Sequence, residues 1–410
     1  METTDTGPIR RQNIEAHHVE FTGSGREYFR VWIVNVLLSI VTLGIYTPWA
    51  RRRTAQYFYS HTQVAGSALE FVAQQRKMVF GFLMMAALYI AYQIASDTGQ
   101  ELAASLLLVG FAILLPFLWG SAMRFRLSAT RWRGVRLAFL ASWKEVYTAS
   151  WPVFAIAALW IVLFFCMNAL SPEPPIGVGG DGPPVKFPAL IAPVIGLGVI
   201  GLGLTLLCVI RLEYNYRSLL VLRARVGDQM GRWKPVYMDF VRVWLATVGF
   251  LLLVVLVGGL GFTLLASGWT TLMKEIFRST GMGGIIFMVI IGFVGAFVAF
   301  VLATLPIRAY RQARMFQLVW NNVGVSHVAR FKTDLRTGAF IWLRVKNMLL
   351  TVVTLGFYRP FAVASEYAMK VDSVTLHLKG GTDQLVGQLV KQQGAFGDAA
   401  ADAMGLDLIG

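Results

Sequence analysis

Six stretches of this chain run for 18 to 24 residues without a charged side chain, and that property decides the solvent it needs. They cover 78–95, 102–122, 150–170, 189–210, 243–266 and 284–305. Each matches the roughly 20-residue helix that a ~30 Å hydrocarbon layer demands. Hydrophobic residues make up 56% of the chain and charged ones 14%, with a mean hydropathy of +0.60. A water-soluble domain cannot hide that much apolar surface, whereas a bilayer takes it as solvent-facing area. An integral membrane protein follows.

The basic residues orient these spans. Segments 47–77, 123–149, 211–242 and 306–337 hold 5, 6, 7 and 6 Lys and Arg, while the intervening 96–101, 171–188 and 267–283 hold 0, 1 and 2. Lys and Arg stay in the cytoplasm during insertion, so three hairpins with cytoplasmic bases are expected. A net charge of +15 arranged this way points to anionic lipid headgroups as partners and away from nucleic acid. Arg51, Arg52, Arg53, Arg124, Arg126, Arg308, Arg311 and Arg314 are the candidate headgroup contacts, interleaved with Tyr57, Phe58, Phe125 and Tyr310. Topological retention and interfacial anchoring by aromatic rings account for the same residues without a specific lipid site.

The two ends of the chain carry a duplication. Sixteen residues from Asn35 to Ala50 recur from Asn347 to Ala362 with ten identities at a constant offset of 312. Asn35, Ser39, Thr42 and Tyr46 are spaced i, i+4, i+7, i+11 and share one helical face, and Asn347, Thr351, Thr354 and Tyr358 repeat that stripe. Gly44 and Gly356 suit a helix C-terminus, and Pro48 and Pro360 block continuation. Residues 31–46 would form a helix of about 24 Å, short of a full crossing, and positive charge flanks both copies. We read the copies as half-span elements, re-entrant or interfacial, with both termini cytoplasmic. Eight complete crossings with both termini outside is the other arrangement that the pattern allows. An amide in hydrocarbon needs a partner, so the two stripes either face each other along a polar path or headgroup site, or bond back to their own helices.

The chain divides into a tail (1–30), a first membrane region with one motif copy (31–122), a basic segment (123–149), a second membrane region (150–305), a basic segment with the second copy (306–380) and a loosely held tail (381–410). Six prolines and four glycines make 171–188 an extended extracytoplasmic linker. Phe21, Phe71, Phe139 and Phe331 each precede a basic residue by five positions, with strand-like stretches leading into them. If these are equivalent units, they share one membrane side.

Chemistry is hard to find. Cys166 and Cys208 sit in apolar runs, and His17, His18, His61, His327 and His377 lack the spaced partners of a metal site. No P-loop, dinucleotide fingerprint, HExxH or nucleophile elbow occurs, and no cofactor is expected. The spans contain no Asp, Glu, Lys, Arg or His, which counts against a proton-driven pump. Small residues at Gly295, Ala299, Ala303, Ala192 and Gly196 fit close helix packing.

The run Phe21-Thr-Gly-Ser-Gly-Arg-Glu-Tyr-Phe29 leading to Thr42-Leu-Gly-Ile-Tyr-Thr-Pro-Trp49, together with Thr130-Arg-Trp-Arg-Gly-Val-Arg136, the second Thr354-Leu-Gly-Phe-Tyr358 and the ending Ala401-Asp-Ala-Met-Gly-Leu-Asp-Leu408, resembles the YjgN-type bacterial inner-membrane proteins. That family is one of unknown function, so the resemblance implies a multi-pass inner-membrane location and no reaction. The expected fold is an all-α polytopic membrane protein: six long transmembrane helices in three hairpins, two duplicated short membrane segments, eight hydrophobic segments in all, and short strand-like cytoplasmic pieces. The expected role is non-enzymatic, either transport or lipid handling, or else a membrane scaffold that holds anionic lipid or a partner on its Arg-rich face.

Overall fold

The computed structural model describes residues 14–379 apart from 171–187, 228, 235, 327 and 328. The strand-like pieces are more than local extensions. β1 (Ile14–Phe21), β2 (Thr62–Val64), β3 (Ser67–Phe71), β4 (Thr130–Trp132), β5 (Val135–Phe139), β6 (Ala224–Val226), β7 (Gln229–Trp233), β8 (Val323–Val325), β9 (Ala329–Thr333) and β10 (Val374–Lys379) close into one barrel. Its strand order is β1-β10-β9-β8-β7-β6-β5-β4-β3-β2. The chain is mostly helical, at 73%, but its strands are joined across almost its whole length.

Local chemistry explains the hairpins. Ala65-Gly66 and Arg133-Gly134 all have positive φ, the two-residue turn whose twist matches that of the strands it joins. Val64 pairs with Ser67 and Trp132 with Val135 across these turns. Alternation then sends Leu69, Trp132, Val135, Ala329, Leu376 and Leu378 into one apolar cluster. Arg136, Arg232, Arg330 and Lys332 lie between such residues and are exposed. The Trp132 indole N–H donates to the Val64 carbonyl at 3.0 Å, and the Arg133 guanidinium donates to Ser67 Oγ at 2.7 Å and the Ala65 carbonyl at 2.8 Å. One hairpin turn is thereby stitched to the next.

Closure falls to the ends of the chain. Ile14 to His18 of β1 pair with Lys379 to Thr375 of β10, and Val19 to Phe21 pair with Val64 to Thr62 of β2. The expected N-terminal tail (1–30) is therefore corrected from Ile14 onward. His17 and His18 are strand residues, His18 Nδ1 lying 3.2 Å from Thr375 Oγ1. The linker expected over 171–188, apart from Pro188, and the expected tail over 381–410 lie outside the described residues.

Helical excursions connect the strands. They comprise α1 (Gly25–Val41) and α2 (Thr47–Ser60) between β1 and β2; α3 (Gln75–Asp97) and α4 (Glu101–Ser128) between β3 and β4; and α5 (Trp143–Ala149), α6 (Trp151–Leu170) and α7 (Pro188–Leu222) between β5 and β6. α8 (Tyr237–Trp320) joins β7 to β8, and α9 (Thr337–Val353) and α10 (Arg359–Val371) join β9 to β10. The first helix of each excursion starts four residues after the strand before it ends, at 25, 75, 143, 237 and 337. Phe21, Phe71 and Phe139 end their strands, as their spacing suggests. Trp233 ends the strand of a fifth unit that the Phe pattern misses, while Phe331 sits two residues before the end of β9.

Among the described residues, six helical segments are long and apolar enough to cross a membrane: Gln75–Asp97, Glu101–Ser128, Trp151–Leu170, Pro193–Leu222, Tyr237–Gly261 and Ile286–Trp320. They coincide with the six uncharged runs. Residues 267–283, expected as a loop, are helical within α8. The chain nevertheless doubles back between Phe250 and Tyr310, whose rings lie 5.6 Å apart, and the Arg311 guanidinium sits 4.6 Å from the Trp244 ring. A straight helix would separate Phe250 from Tyr310 by about 90 Å.

The described residues pack as two units. The first takes residues 1–75, 129–137 and 226–410 and holds the barrel except for the ends of β5 and β6; the second takes 76–128 and 138–225. In the second, a Cβ on Gly201 would strike the Leu163 side chain, so this glycine sets the approach of α6 and α7. Gly295, by contrast, has open space beside it. Ser142 and Glu145 form a reciprocal cap at the start of α5, and Glu145 also pairs with Arg223. The Ser142 backbone N–H, with help from the Arg223 guanidinium, holds the Glu145 carboxyl below its ordinary pKa. A depressed carboxyl pKa means that this contribution to stability is present at neutral pH and is lost as pH falls through the folded value. Thermal unfolding of detergent-solubilised protein between pH 7 and pH 3 should show Glu145→Gln losing stability at pH 7 and converging on the parent in acid.

Candidate functional site

The duplicated segments are helical hairpins, and their shared Thr-Leu-Gly-x-Tyr sequence is the reversal. Leu43 and Gly44 have φ of 49° and 88°, and Leu355 and Gly356 have 51° and 95°. Two successive left-handed residues end a helix and turn the chain back, at a cost of about 1–2 kcal/mol for each residue with a side chain. Thr42 and Thr354 hold the turn. Each hydroxyl donates to the carbonyl four residues earlier at 2.7 Å and accepts the Tyr46 or Tyr358 backbone N–H at 3.0 or 2.9 Å. Pro48 and Pro360 occupy the first turn of α2 and α10, so the prolines that stop one helix also open the next.

The asparagine stripes do not face each other across the duplication. Asn35 Nδ2 donates to the Ala50 carbonyl at 3.4 Å and reaches Thr54 Oγ1 at 3.5 Å, tying α1 to α2. Asn347 Nδ2 donates to the Ala362 carbonyl at 3.3 Å, Ser365 Oγ at 3.0 Å and Glu366 Oε1 at 3.4 Å, tying α9 to α10. Thr351 bonds back to the Asn347 carbonyl at 2.7 Å, and the Ser39 carbonyl accepts the Gly44 N–H at 2.7 Å. The threonine hydroxyls thus bond to their own helices, and the asparagine amides to the backbone of the other helix of the same hairpin. The hairpins do meet, through α1 and α10: Phe29 stacks on Phe361 with centroids 5.7 Å apart, and Thr62 Oγ1 lies 2.9 Å from the Tyr367 hydroxyl.

The grooves inside the two hairpins differ. Between α1 and α2 is an open groove of about 550 Å³ whose lining includes Trp32, Asn35, Ser39, Ile40, Arg51 and Thr54. At the offset of 312, Arg344 and Glu366 replace Trp32 and Thr54 in the second copy. There the Arg344 Nε lies 3.2 Å from Glu366 Oε2, a pair that occupies the corresponding position with protein atoms. Asn347 is 1% exposed and Asn35 6%, and the Asn35 Oδ1 is buried without a hydrogen-bond partner. A sequence comparison of the copies contains this divergence at Trp32 and Thr54. Its meaning appears only when both positions are seen to flank the asparagine.

The arginines expected at headgroups have separate fates. Arg124 is structural: it donates to the Ala141 carbonyl at 2.6 Å and its guanidinium lies 3.7 Å from the Trp143 ring centroid. Arg311 lies against Trp244, and Arg314 donates to Gln317 at 3.3 Å. Arg53 donates to the Tyr46 hydroxyl at 3.3 Å, and the half-buried Arg52 keeps its Nε in the protein interior. Arg51 and Arg308 are exposed, whereas Arg126 is half-buried and engaged in a further interaction. Only Arg51 lies in the groove.

Helices able to span a membrane, set between strands of a single barrel, define a multi-pass membrane protein. The chain belongs to the family described as "Bacterial protein of unknown function (DUF898)", whose model matches residues 16–403. It is similar to the inner membrane protein YjgN of Salmonella typhimurium, 24% identical over 84% of both chains. It is also similar to that of Escherichia coli O157:H7, 30% identical over 40% of this chain, and that of Escherichia coli K12, 28% identical over 40%. The matched stretch spans about two fifths of the two Escherichia coli proteins. No solved structure matches the chain.

The two asparagines carry unequal loads. Asn347→Leu leaves the Ala362 carbonyl and the half-buried Glu366 carboxylate short of a donor, a loss on the order of 1–3 kcal/mol. Asn35→Leu removes longer bonds and an already unpartnered oxygen. Thermal unfolding in detergent should therefore show the larger drop for Asn347→Leu; equal drops would mean that the grooves are equivalent.

Proposed function

We propose that this protein is a non-catalytic lipid-handling protein of the cytoplasmic leaflet, in which a barrel at the membrane surface holds two re-entrant helical hairpins. The observation that carries this reading is the apolar tip of each hairpin. Leu43 and Leu355, at the two reversals, are 93% and 90% exposed, and Ile45, Val41, Val353 and Phe357 beside them are exposed as well. In water such tips would be a liability; in the hydrocarbon of one leaflet they are solvated. Connectivity supports the same arrangement. α1–α2 and α9–α10 begin and end at barrel strands, and 17 residues of α1 reach about 26 Å, short of a full crossing.

Between transport and lipid handling, the geometry favours lipid handling. A gate built from the two stripes needs them to face one another, and the amide N–H groups of both asparagines instead donate inside their own hairpins. The groove of the first hairpin opens between apolar surfaces with Arg51 at its lining, a setting for a phospholipid headgroup. Full chain with Cys166 and Cys208 replaced and single cysteines at Arg10 or Ala400 should react with membrane-impermeant maleimide only from the cytoplasmic face. Labelling from the periplasm would establish eight crossings and sink the re-entrant reading. Arg51→Glu should likewise lower the phospholipid retained through purification, and unchanged retention would remove the headgroup role.

A second reading rests on the barrel wall. Exposed Arg136, Arg232, Arg330 and Lys332 alternate with inward residues and present positive charge outward. That surface suits a scaffold for an acidic partner. Reversing Arg330 and Lys332 to Glu should then release a copurifying acidic protein without changing the retained lipid; no change in copurifying protein would leave lipid handling alone.

A further inference from the structure

The duplication supplies an internal comparison: two hairpins of one ancestry, one groove filled by its own side chains and the other open. In the filled groove the chain itself places a guanidinium and a carboxylate beside the asparagine, Arg344 against Glu366 at 3.2 Å with Asn347 Nδ2 donating to Glu366 at 3.4 Å. In the open groove both charges are gone, replaced by the Trp32 ring and the Thr54 hydroxyl. One cation has been gained, since Arg51 stands where the second copy has Val363. Asn35 lines the groove and remains more than nine-tenths buried, and its Oδ1 has no donor. A buried carboxamide oxygen left without a hydrogen bond is costly. The lining of the open groove thus combines an asparagine whose acceptor is unanswered, an aromatic ring and a guanidinium, with apolar Leu37, Ile40 and Val41 exposed along the same helix.

We propose that the α1–α2 groove is a binding site for a phospholipid whose headgroup carries an ammonium N–H donor two carbons from its phosphate and no carboxylate, that is, phosphatidylethanolamine. The ammonium donates to Asn35 Oδ1 and lies against the Trp32 ring, the phosphate meets Arg51, and the acyl chains run along the apolar face of α1. Each contact answers a feature of the groove that the second copy either lacks or satisfies itself. A hydrogen bond involving a charged donor is about twice as strong as a neutral one, which selects the ammonium over the hydroxyls of phosphatidylglycerol. Choline keeps the positive charge and the ring contact but has no N–H, so phosphatidylcholine isolates the hydrogen bond. This deepens the lipid-handling reading and rests on it.

Native mass spectrometry of the full chain in detergent, titrated with phosphatidylethanolamine, phosphatidylcholine and phosphatidylglycerol of identical acyl chains, tests the site. The expected result is that phosphatidylethanolamine binds about ten-fold more tightly than phosphatidylcholine, the value of one charge-assisted hydrogen bond of ~1.4 kcal/mol. Asn35→Leu should reduce that preference to within about two-fold, and Asn347→Leu should leave it in place. Trp32→Arg combined with Thr54→Glu transplants the second hairpin's ion pair and so keeps a folding solution that the chain already uses; it should abolish the preference. Equal binding of the ethanolamine and choline lipids, or a preference that survives the transplanted pair, would overturn this proposal and show that water serves Asn35. Displacement of the lipid by equimolar free phosphoethanolamine would also overturn it, by making the ligand a soluble one. The lipid-handling reading fails separately, on the outcome that none of the three lipids binds and Arg51→Glu changes nothing.

Discussion

The pairing of β1 with β10 is the interaction on which the rest of the architecture depends. Each strand of the barrel is short, from three to eight residues, and no two-stranded hairpin of that length is stable alone. Closure removes the open edges, so every strand gains a neighbour on each side and the small apolar cluster around Trp132, Val135 and Leu378 is shut off from water. It also joins residues more than 350 positions apart, and so sets the first and last helical hairpins side by side. Their contact through Phe29, Phe361, Thr62 and Tyr367 is a consequence of that closure.

A duplicated hairpin freed from identical duty can change in one copy. The Thr-Leu-Gly-x-Tyr reversal is retained in both because its geometry is demanding. Two consecutive residues need positive φ, the threonine hydroxyl must serve the helix end, and the leucine at the tip needs a medium that tolerates it. The groove is under no such constraint. An ion pair in one copy and an aromatic ring with a hydroxyl in the other are both compatible with the same backbone, and that difference separates a filled hairpin from an open one. The same economy holds for the arginines. Several that positive-inside bias alone would place at headgroups are occupied within the protein, Arg124 on the Ala141 carbonyl and Trp143, and Arg53 on Tyr46, so a cation in a basic segment is not thereby a lipid ligand.

The amino-acid sequence by itself determined the solvent, the six spans, their grouping around basic segments and the existence of the duplication. These follow from local quantities: run length, charge and identity at a fixed offset need no knowledge of distant residues. It also contained the hairpin turns, legible in Ala65-Gly66 and Arg133-Gly134, and the strand-end aromatics, although the slip of Phe331 by two positions and the place of Trp233 were not readable from spacing. Tertiary structure alone decided three things. Barrel closure depends on pairing between strands up to some 360 residues apart, which no local pattern encodes. The doubling back within the long α8 is visible only because Phe250 meets Tyr310. The partners of Asn35 and Asn347 were likewise undecided, because a polar stripe on one helix face suits a neighbour within the hairpin as well as one across the duplication. Only the fold brings Ala50 and Ala362 within reach and leaves one amide oxygen unanswered.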